Sequence, residues 1–96
     1  MTPALNEAEQ AKQELLNRLK EGKLDGIESI LDKVTPEDAL LASFYKDLDP
    51  EVVDKFYAVT IKYYESKEHC KQIASLWKYM QKRHRTKYNL ELEVAQ

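Results

Sequence analysis

Cys70 and the histidine beside it, His69, are the first residues to consider for chemistry, because a thiol beside an imidazole can form a nucleophile and its base. Adjacent residues of a helix point about 100° apart, so these two side chains do not face each other. The positions of His69, Cys70 and His84 do not match zinc-ligand spacing, and no glycine-rich loop could cradle a phosphate. The sequence therefore predicts a protein that is not an enzyme, with no catalytic, cofactor-binding or metal-binding residue.

The stretch 50–87 is the segment that positions these residues, and it contains no glycine and no proline after Pro50. One series of positions in it steps by alternate fours and threes, which places them on one side of a helix. We call this series the seam. Only Ser66 and His84 interrupt its apolar and aromatic character. Its members are Val52, Phe56, Val59, Tyr63, Ser66, Cys70, Ile73, Trp77, Met80 and His84.

The length of the seam leaves two arrangements open. One unbroken helix over 50–87 would run about 55 Å, whereas a compact chain of this size has a radius of gyration of about 12–13 Å. Either the segment breaks near 64–67 and folds back as a hairpin, with Ser66 as a candidate N-cap, or it stays whole. A whole helix would bury its overhang on another chain, most simply a second copy, which would make the protein a homodimer.

Helix start and stop signals divide the first half of the chain. A first helix over 5–21 ends at Gly22, and the sequence 25–28 resembles a capping box that opens a short helix. Thr35-Pro36 and Asp49-Pro50 each predict a further helix start. The helix after Thr35 is expected to use its apolar residues as a core face: Ala39, Leu40, Leu41, Phe44 and Leu48.

These signals predict an all-α fold, a small bundle of four to five helices with a long C-terminal helix or helical hairpin over 50–87. One helical domain is expected over 1–88, followed by a tail over 89–96. In that tail Leu90, Leu92 and Val94 alternate with other residues, a pattern that fits either a frayed end or a short strand pairing with another chain.

Charge is divided unevenly along the chain, although the net charge is only −2. Residues 1–50 hold 6 Lys and Arg against 11 Asp and Glu, and residues 51–96 hold 9 against 6. This asymmetry fits either an acidic N-terminal half that folds against a basic C-terminal helix or a binding face for an acidic partner. The start of the chain has no basic region followed by an apolar core, no apolar run could span a bilayer, and the single cysteine fits a reducing compartment. A cytoplasmic protein without membrane contact is therefore expected.

The leading functional prediction is a protein–protein interaction module, such as a small adaptor, inhibitor or chaperone-like protein. It rests on the long seam and on the aromatic and arginine residues late in the chain, which are types that favour interface hot spots. Leu76 and Tyr79 lie away from the seam and are candidates for an exposed apolar patch or for a second packing contact. The predicted contact residues are Trp77, Tyr79, Met80 and Arg83, with Lys78 and Lys82 steering an acidic partner. For Trp77 and Met80, the alternative is a purely structural place in the core.

The second prediction is nucleic-acid binding. On a helix, a set of basic residues falls within a sector of about 60°, and such a stripe could neutralise phosphates and release counterions. The acidic isoelectric point, about 5.7, weighs against this function. The stripe consists of Lys67, Lys71, Lys78, Lys82 and Arg85.

Overall fold

The computed structural model describes residues 7–90, and these form five α-helices and no strand. In chain order the helices are α1 (Glu7–Glu21), α2 (Glu28–Leu31), α3 (Pro36–Ser43), α4 (Pro50–Glu65) and α5 (Lys71–Tyr88). The predicted all-α fold is confirmed. Each helix within 7–90 is too short or too polar to cross a membrane.

The chain divides between Asp49 and Pro50 into two compact units. Unit 1 contains α1, α2 and α3, and α1 contacts both of the shorter helices. Unit 2 contains α4 and α5, which pack along each other. Whether 1–88 behaves as one domain in solution stays a prediction.

In unit 1, α1 begins at Glu7, and residues 5 and 6 of the predicted helix lie outside the described residues. The expected helix end at Gly22 is confirmed, because its φ of 73° is a left-handed conformation that glycine adopts without strain. The buried apolar residues of this unit lie on α1, on α2 and its flanks, and on α3: Ala11, Leu15, Leu19, Ile27, Ile30, Leu31, Val34 and Ala39.

The capping box expected at 25–28 is wrong. Helix α2 begins at Glu28, and its N-cap is Ile27, which makes no side-chain cap hydrogen bond. Gly26, with φ of 71°, turns the chain between Asp25 and the helix, so Asp25 is two residues too early to cap it. The Ser29 hydroxyl instead donates to the Gly26 carbonyl at 3.0 Å.

The N-cap expected at Thr35 is confirmed. Its hydroxyl accepts a hydrogen bond from the Asp38 backbone N–H at 3.1 Å, and Pro36 occupies the first turn of α3.

Replacing Thr35 with alanine is expected to lower the free energy of unfolding by about 1 kcal/mol, since it leaves that N–H without its side-chain acceptor. Thr35→Ser keeps the acceptor and should stay near the wild-type value. Urea unfolding followed by circular dichroism measures both. An equal loss in the two variants would contradict a capping role for the hydroxyl.

The core face predicted for α3 is wrong in part. Ala39 and Ser43 are its buried residues, whereas Leu41 is 65% exposed and Phe44, the C-cap residue, is 54% exposed. The small side chains of Ala39 and Ser43 allow α3 to approach α1 closely, and Leu41 is then about 200° round the helix from Ala39. The helix ends at Ser43, so Leu48 lies beyond it.

Unit 2 is the hairpin rather than the unbroken helix. Residues 66–70 separate α4 from α5, and this linker overlaps the predicted break at 64–67. The end of α5 meets the start of α4, as the contact of His84 Nε2 with the Pro50 carbonyl oxygen at 2.8 Å shows. Ser66 is not the N-cap: its hydroxyl donates back to the Tyr63 carbonyl at 2.6 Å, and Cys70 occupies the N-cap position of α5.

On α4, most of the buried positions lie one residue after the seam positions. Of the seam positions on α4, Phe56 is buried, but Val52, Val59 and Tyr63 are only half-buried. Thr60 can lie in the core because its hydroxyl donates to the Phe56 carbonyl at 2.7 Å, which removes the cost of burying it unpaired. The buried set is Val53, Phe56, Tyr57, Thr60, Ile61 and Tyr64.

Helix α5 ends at Tyr88, and Asn89 closes it in the left-handed conformation, with φ of 56°. The alternating pattern of the predicted tail falls mainly on 91–96, outside the described residues. Neither the frayed end nor the strand is therefore tested.

Candidate protein-binding surface

Trp77 occupies the centre of unit 2. Its ring is 0% exposed and meets Phe56 and Tyr57 edge-on, with centroid distances of 5.6 and 5.5 Å, while Tyr64 lies at 6.1 Å. Such tilted and edge-to-face contacts add to the gain from burying the rings. A partner that binds the packed hairpin cannot touch the Trp77 ring. Met80, the other seam residue among the predicted contacts, is half-buried.

Two of the predicted basic residues are engaged by acids of α4. The Arg85 guanidinium donates to both carboxylate oxygens of Asp54, at 2.7 and 3.2 Å, and the Gln81 side chain reaches the same residue. The Lys78 ammonium lies 2.6 Å from the Glu65 carboxylate. These contacts hold the two helices side by side and reduce the charge that they offer to phosphates.

Replacing Asp54 with alanine is expected to lower the free energy of unfolding of unit 2 by about 1–2 kcal/mol, because the partly buried Arg85 loses a two-point, charge-assisted partner. Glu65→Ala is the matched control. Its pair with Lys78 is more exposed, so a loss of about 0.5 kcal/mol is expected there. Urea unfolding followed by Trp77 fluorescence measures both, and equal losses would contradict this ranking of the two pairs.

The remaining members of the basic stripe are Lys67, Lys71 and Lys82, and only the last two lie on α5. Lys67 precedes α5, and its ammonium lies 4.7 Å from the centre of the Tyr63 ring. Lys71 begins the helix, and Lys82 is exposed near its middle. Lys71 and Lys82 lie on the same side of α5 as Lys78 and Arg85, so four of the five predicted cations share a sector of the helix, and two of these four are paired with acids.

The side of α5 that lies opposite its buried residues carries an exposed aromatic and apolar strip, which we call the outer face: Leu76, Tyr79 and Arg83. Their spacing of three and four residues places them on one side of the helix, roughly opposite Ala74 and Trp77. Leu76 is 49% exposed and Tyr79 is 55% exposed, as the sequence predicts for this pair. The Arg83 guanidinium lies 5.8 Å from the Tyr79 ring centre and donates to its hydroxyl at 3.4 Å. This contact orients both side chains along the helix surface.

Charge around the outer face has one sign. Helix α5 contains six Lys and Arg residues and no Asp or Glu. Lys82 follows Tyr79 by three residues, and Lys78 lies further round the helix, where Glu65 pairs with it. An aromatic strip in a positive field is suited to an acidic protein segment with apolar side chains.

The two histidines and the cysteine that were considered for chemistry lie either between the helices of unit 2 or in the turn that joins them. His84 is half-buried between the rings of Tyr57 and Tyr88, at centroid distances of 5.4 and 4.8 Å, and links α5 to the start of α4 through Pro50. Cys70 is half-buried, and His69 is exposed in the turn before it. Across residues 7–90, no three His, Cys, Asp or Glu side chains are grouped so as to hold a metal ion.

A shallow cavity of about 160 Å³ lies in unit 1 beside α1 and is lined mainly by polar side chains, among them Glu14, Ser29 and Lys33. It is smaller than the roughly 300–1,000 Å³ that sites for drug-sized ligands occupy. The outer face of α5 is therefore a better candidate for a binding surface than this cavity.

Comparison of the chain with protein-family models, with curated proteins and with solved structures finds no match. The functional argument therefore rests on the geometry of the chain itself.

Proposed function

We propose that this protein is a non-enzymatic protein-interaction module that binds an acidic partner segment through the outer face of α5. The observation that carries the proposal is the half-exposed pair Leu76 and Tyr79 on a helix with six cations and no acid. Tyr79 and Arg83 provide hot-spot residue types, and Lys82 attracts and orients acidic groups. A role as a small adaptor, inhibitor or chaperone-like protein fits this activity.

The packing of unit 2 supports the use of this face. Leu76 and Tyr79 alternate along the chain with the buried Ala74 and Trp77, so the contacts of the core fix the direction in which the outer face points. A surface held rigidly by its own core loses little conformational entropy when it binds. Trp77 is then a positioning residue rather than a contact.

The partner fits best as an amphipathic helix with apolar residues spaced by three and four and with acids beside them. Such a helix can lay its apolar side along Leu76 and Tyr79 while its carboxylates meet Arg83 and Lys82. A homodimer through the seam is not needed to cover Trp77, because α4 already covers it.

The test uses a labelled 16-residue amphipathic peptide with leucine and phenylalanine on one side and glutamate on the other, and its counterpart with every glutamate replaced by lysine. Fluorescence anisotropy should show binding of the acidic peptide and binding at least about tenfold weaker for the basic one, because only one charge sign complements α5. The double variant Leu76→Asp, Tyr79→Asp should weaken binding of the acidic peptide at least about tenfold.

The matched control is Ala58→Asp with Lys62→Ala, an equal change of charge at two exposed positions of α4. It should keep most of the affinity, and circular dichroism checks that both variants remain helical. Equal binding of the two peptides, or equal weakening by the two double variants, would contradict the proposal.

The charge of α5 also favours a second candidate, nucleic-acid binding through Lys71 and Lys82. Fluorescence anisotropy with duplex DNA and single-stranded RNA at about 50 and 200 mM salt tests it, since phosphate-driven affinity falls steeply over that range. Lys71→Glu with Lys82→Glu is the informative variant. Lys78 is unsuitable, because changing it to glutamate would place two acids together at Glu65.

Salt-dependent binding that the Lys71, Lys82 variant abolishes would establish this second function. Absence of binding at the lower salt concentration would remove it.

A further inference from the structure

Unit 1 also carries an exposed apolar cluster, which we call the α3 patch: Leu41, Phe44 and Tyr45. Their exposed fractions are 65%, 54% and 48%. The backbone continues to turn after α3, since Phe44 N–H donates to the Leu41 carbonyl and Tyr45 N–H to the Ala42 carbonyl. Spacing of three and four residues therefore keeps the three side chains on one side of the chain.

The surroundings of the α3 patch are acidic. Residues 35–49 contain four acids and one base, Lys46. Glu37 precedes Leu41 by one helical turn, and Asp47 and Asp49 follow Tyr45. Helix α1 contributes two cations here: the Lys20 ammonium lies 4.6 Å from the Tyr45 ring centre, and the Lys12 ammonium lies 3.8 Å from an Asp38 carboxylate oxygen. Four acids against Lys46, Lys12 and Lys20 leave a net charge of −1 around the large apolar side chains of the α3 patch.

The α3 patch and the outer face of α5 match in character and oppose each other in charge. Each presents exposed large apolar and aromatic side chains, and apolar contact supplies affinity while complementary charge selects the partner. Each surface is about half exposed or more on its own unit, so each is available to another molecule.

We propose that the outer face of α5 of one copy binds the α3 patch of a second copy. This inference rests on the proposed function and names the partner of that same face. The two surfaces differ, so the contact is heterologous, and after pairing one copy still presents its α3 patch and the other its outer face. Association therefore extends beyond two chains as the concentration rises, into a ring or an open row.

The test measures the average mass of the whole protein by sedimentation equilibrium over a concentration series to about 1 mM, where a contact with a Kd near 100 µM is largely occupied. The wild type should exceed the mass of two chains. Phe44→Glu and Tyr79→Glu should each weaken association at least about tenfold, because each places an acid in one of the two apolar surfaces.

A mixture of these two variants is the decisive sample. Phe44→Glu retains the outer face of α5, and Tyr79→Glu retains the α3 patch, so one good contact can form between them. The mixture should therefore form a one-to-one dimer that does not grow further. Raising the salt concentration should weaken that dimer, because the charges around the contact are exposed. Circular dichroism and Trp77 fluorescence check that both variants are folded.

A wild type that stays a single chain would overturn the inference. A mixture that stays monomeric would do the same, as would a Phe44→Glu variant that associates like the wild type. If the acidic peptide still binds the outer face in any of these cases, the proposed function stands and only the second copy is excluded. If the peptide also fails to bind, the proposed function fails with it.

Discussion

Trp77→Ala is expected to lower the free energy of unfolding of unit 2 by about 3–5 kcal/mol, the usual cost of removing a large buried aromatic side chain. Its ring contacts Phe56, Tyr57 and Tyr64 and is fully buried. Small domains have total stabilities near the low end of about 5–15 kcal/mol, so this variant should be largely unfolded in unit 2. Helical circular dichroism during urea unfolding measures the loss.

Two variants separate packing from other effects at this site. Trp77→Phe keeps an aromatic ring, so its loss in the free energy of unfolding should be clearly smaller than that of Trp77→Ala. The indole N–H that this change removes has no hydrogen-bond partner within 7–90. Leu76→Ala, at the neighbouring exposed position, should change stability by about 0.5 kcal/mol or less. If Trp77→Ala were as stable as Leu76→Ala, the placement of Trp77 in the core would be wrong.

Tyr64 is expected to make unit 2 sensitive to alkaline pH. Burial, with a smaller contribution from the charge of Cys70, raises the pKa of Tyr64 from 10.0 to about 12. Below pH 10 the hydroxyl is protonated in both the folded and the unfolded chain, and its full contribution to stability is present. Between pH 10 and 12 the unfolded chain ionises first, which costs about 1.4 kcal/mol per pH unit and about 2–3 kcal/mol in all.

Tyr64→Phe removes this group and should flatten the decline in stability above pH 10. At neutral pH the variant should be as stable as the wild type or slightly more stable, because the buried hydroxyl finds no hydrogen-bond partner within the described residues. Urea midpoints at pH 9, 10 and 11, each compared with the exposed control Tyr79→Phe, measure the effect. Parallel decline of both variants with the wild type would contradict the assignment to Tyr64.

Local signals explain most of what could be predicted of the fold. Gly22, Thr35 and Pro50 end or begin helices through their own backbone and side-chain chemistry, which does not depend on distant residues. The seam correctly places Phe56 and Trp77 on the packed sides of α4 and α5. On α4 the seam misses Val53 and Tyr64, since valine or tyrosine stands at both neighbouring positions, and Thr60, whose burial depends on a hydrogen bond that hydropathy does not register.

Features that depend on neighbouring helices could not be predicted in this way. Leu41 and Phe44 are exposed because Ala39 and Ser43 allow close packing of α3, an effect of shape rather than of hydropathy. The basic stripe offers less charge than predicted because Asp54 and Glu65 pair with Arg85 and Lys78. In an antiparallel hairpin, the residue numbers of two facing positions add up to a nearly constant value. Aligning the acids of α4 with the cations of α5 on this basis would have found both pairs.

Only part of the candidate surface could be predicted from the sequence. Leu76 and Tyr79 lie outside the seam, and the structure confirms their exposure. The sequence leaves Trp77 with two possible places, because aromatic residues favour interfaces and the same ring chemistry favours cores. Only the fold of the hairpin decides between these two places for a given ring.

An unbiased peptide-display selection tests the central claim, that the outer face of α5 binds an acidic protein segment, most directly. The wild type and the Leu76→Asp, Tyr79→Asp variant are used as parallel targets. The account predicts that the wild type recovers peptides rich in Asp, Glu and large apolar residues, and that the variant does not. Recovery of the same peptides by both targets, or of peptides without acidic enrichment, would contradict it.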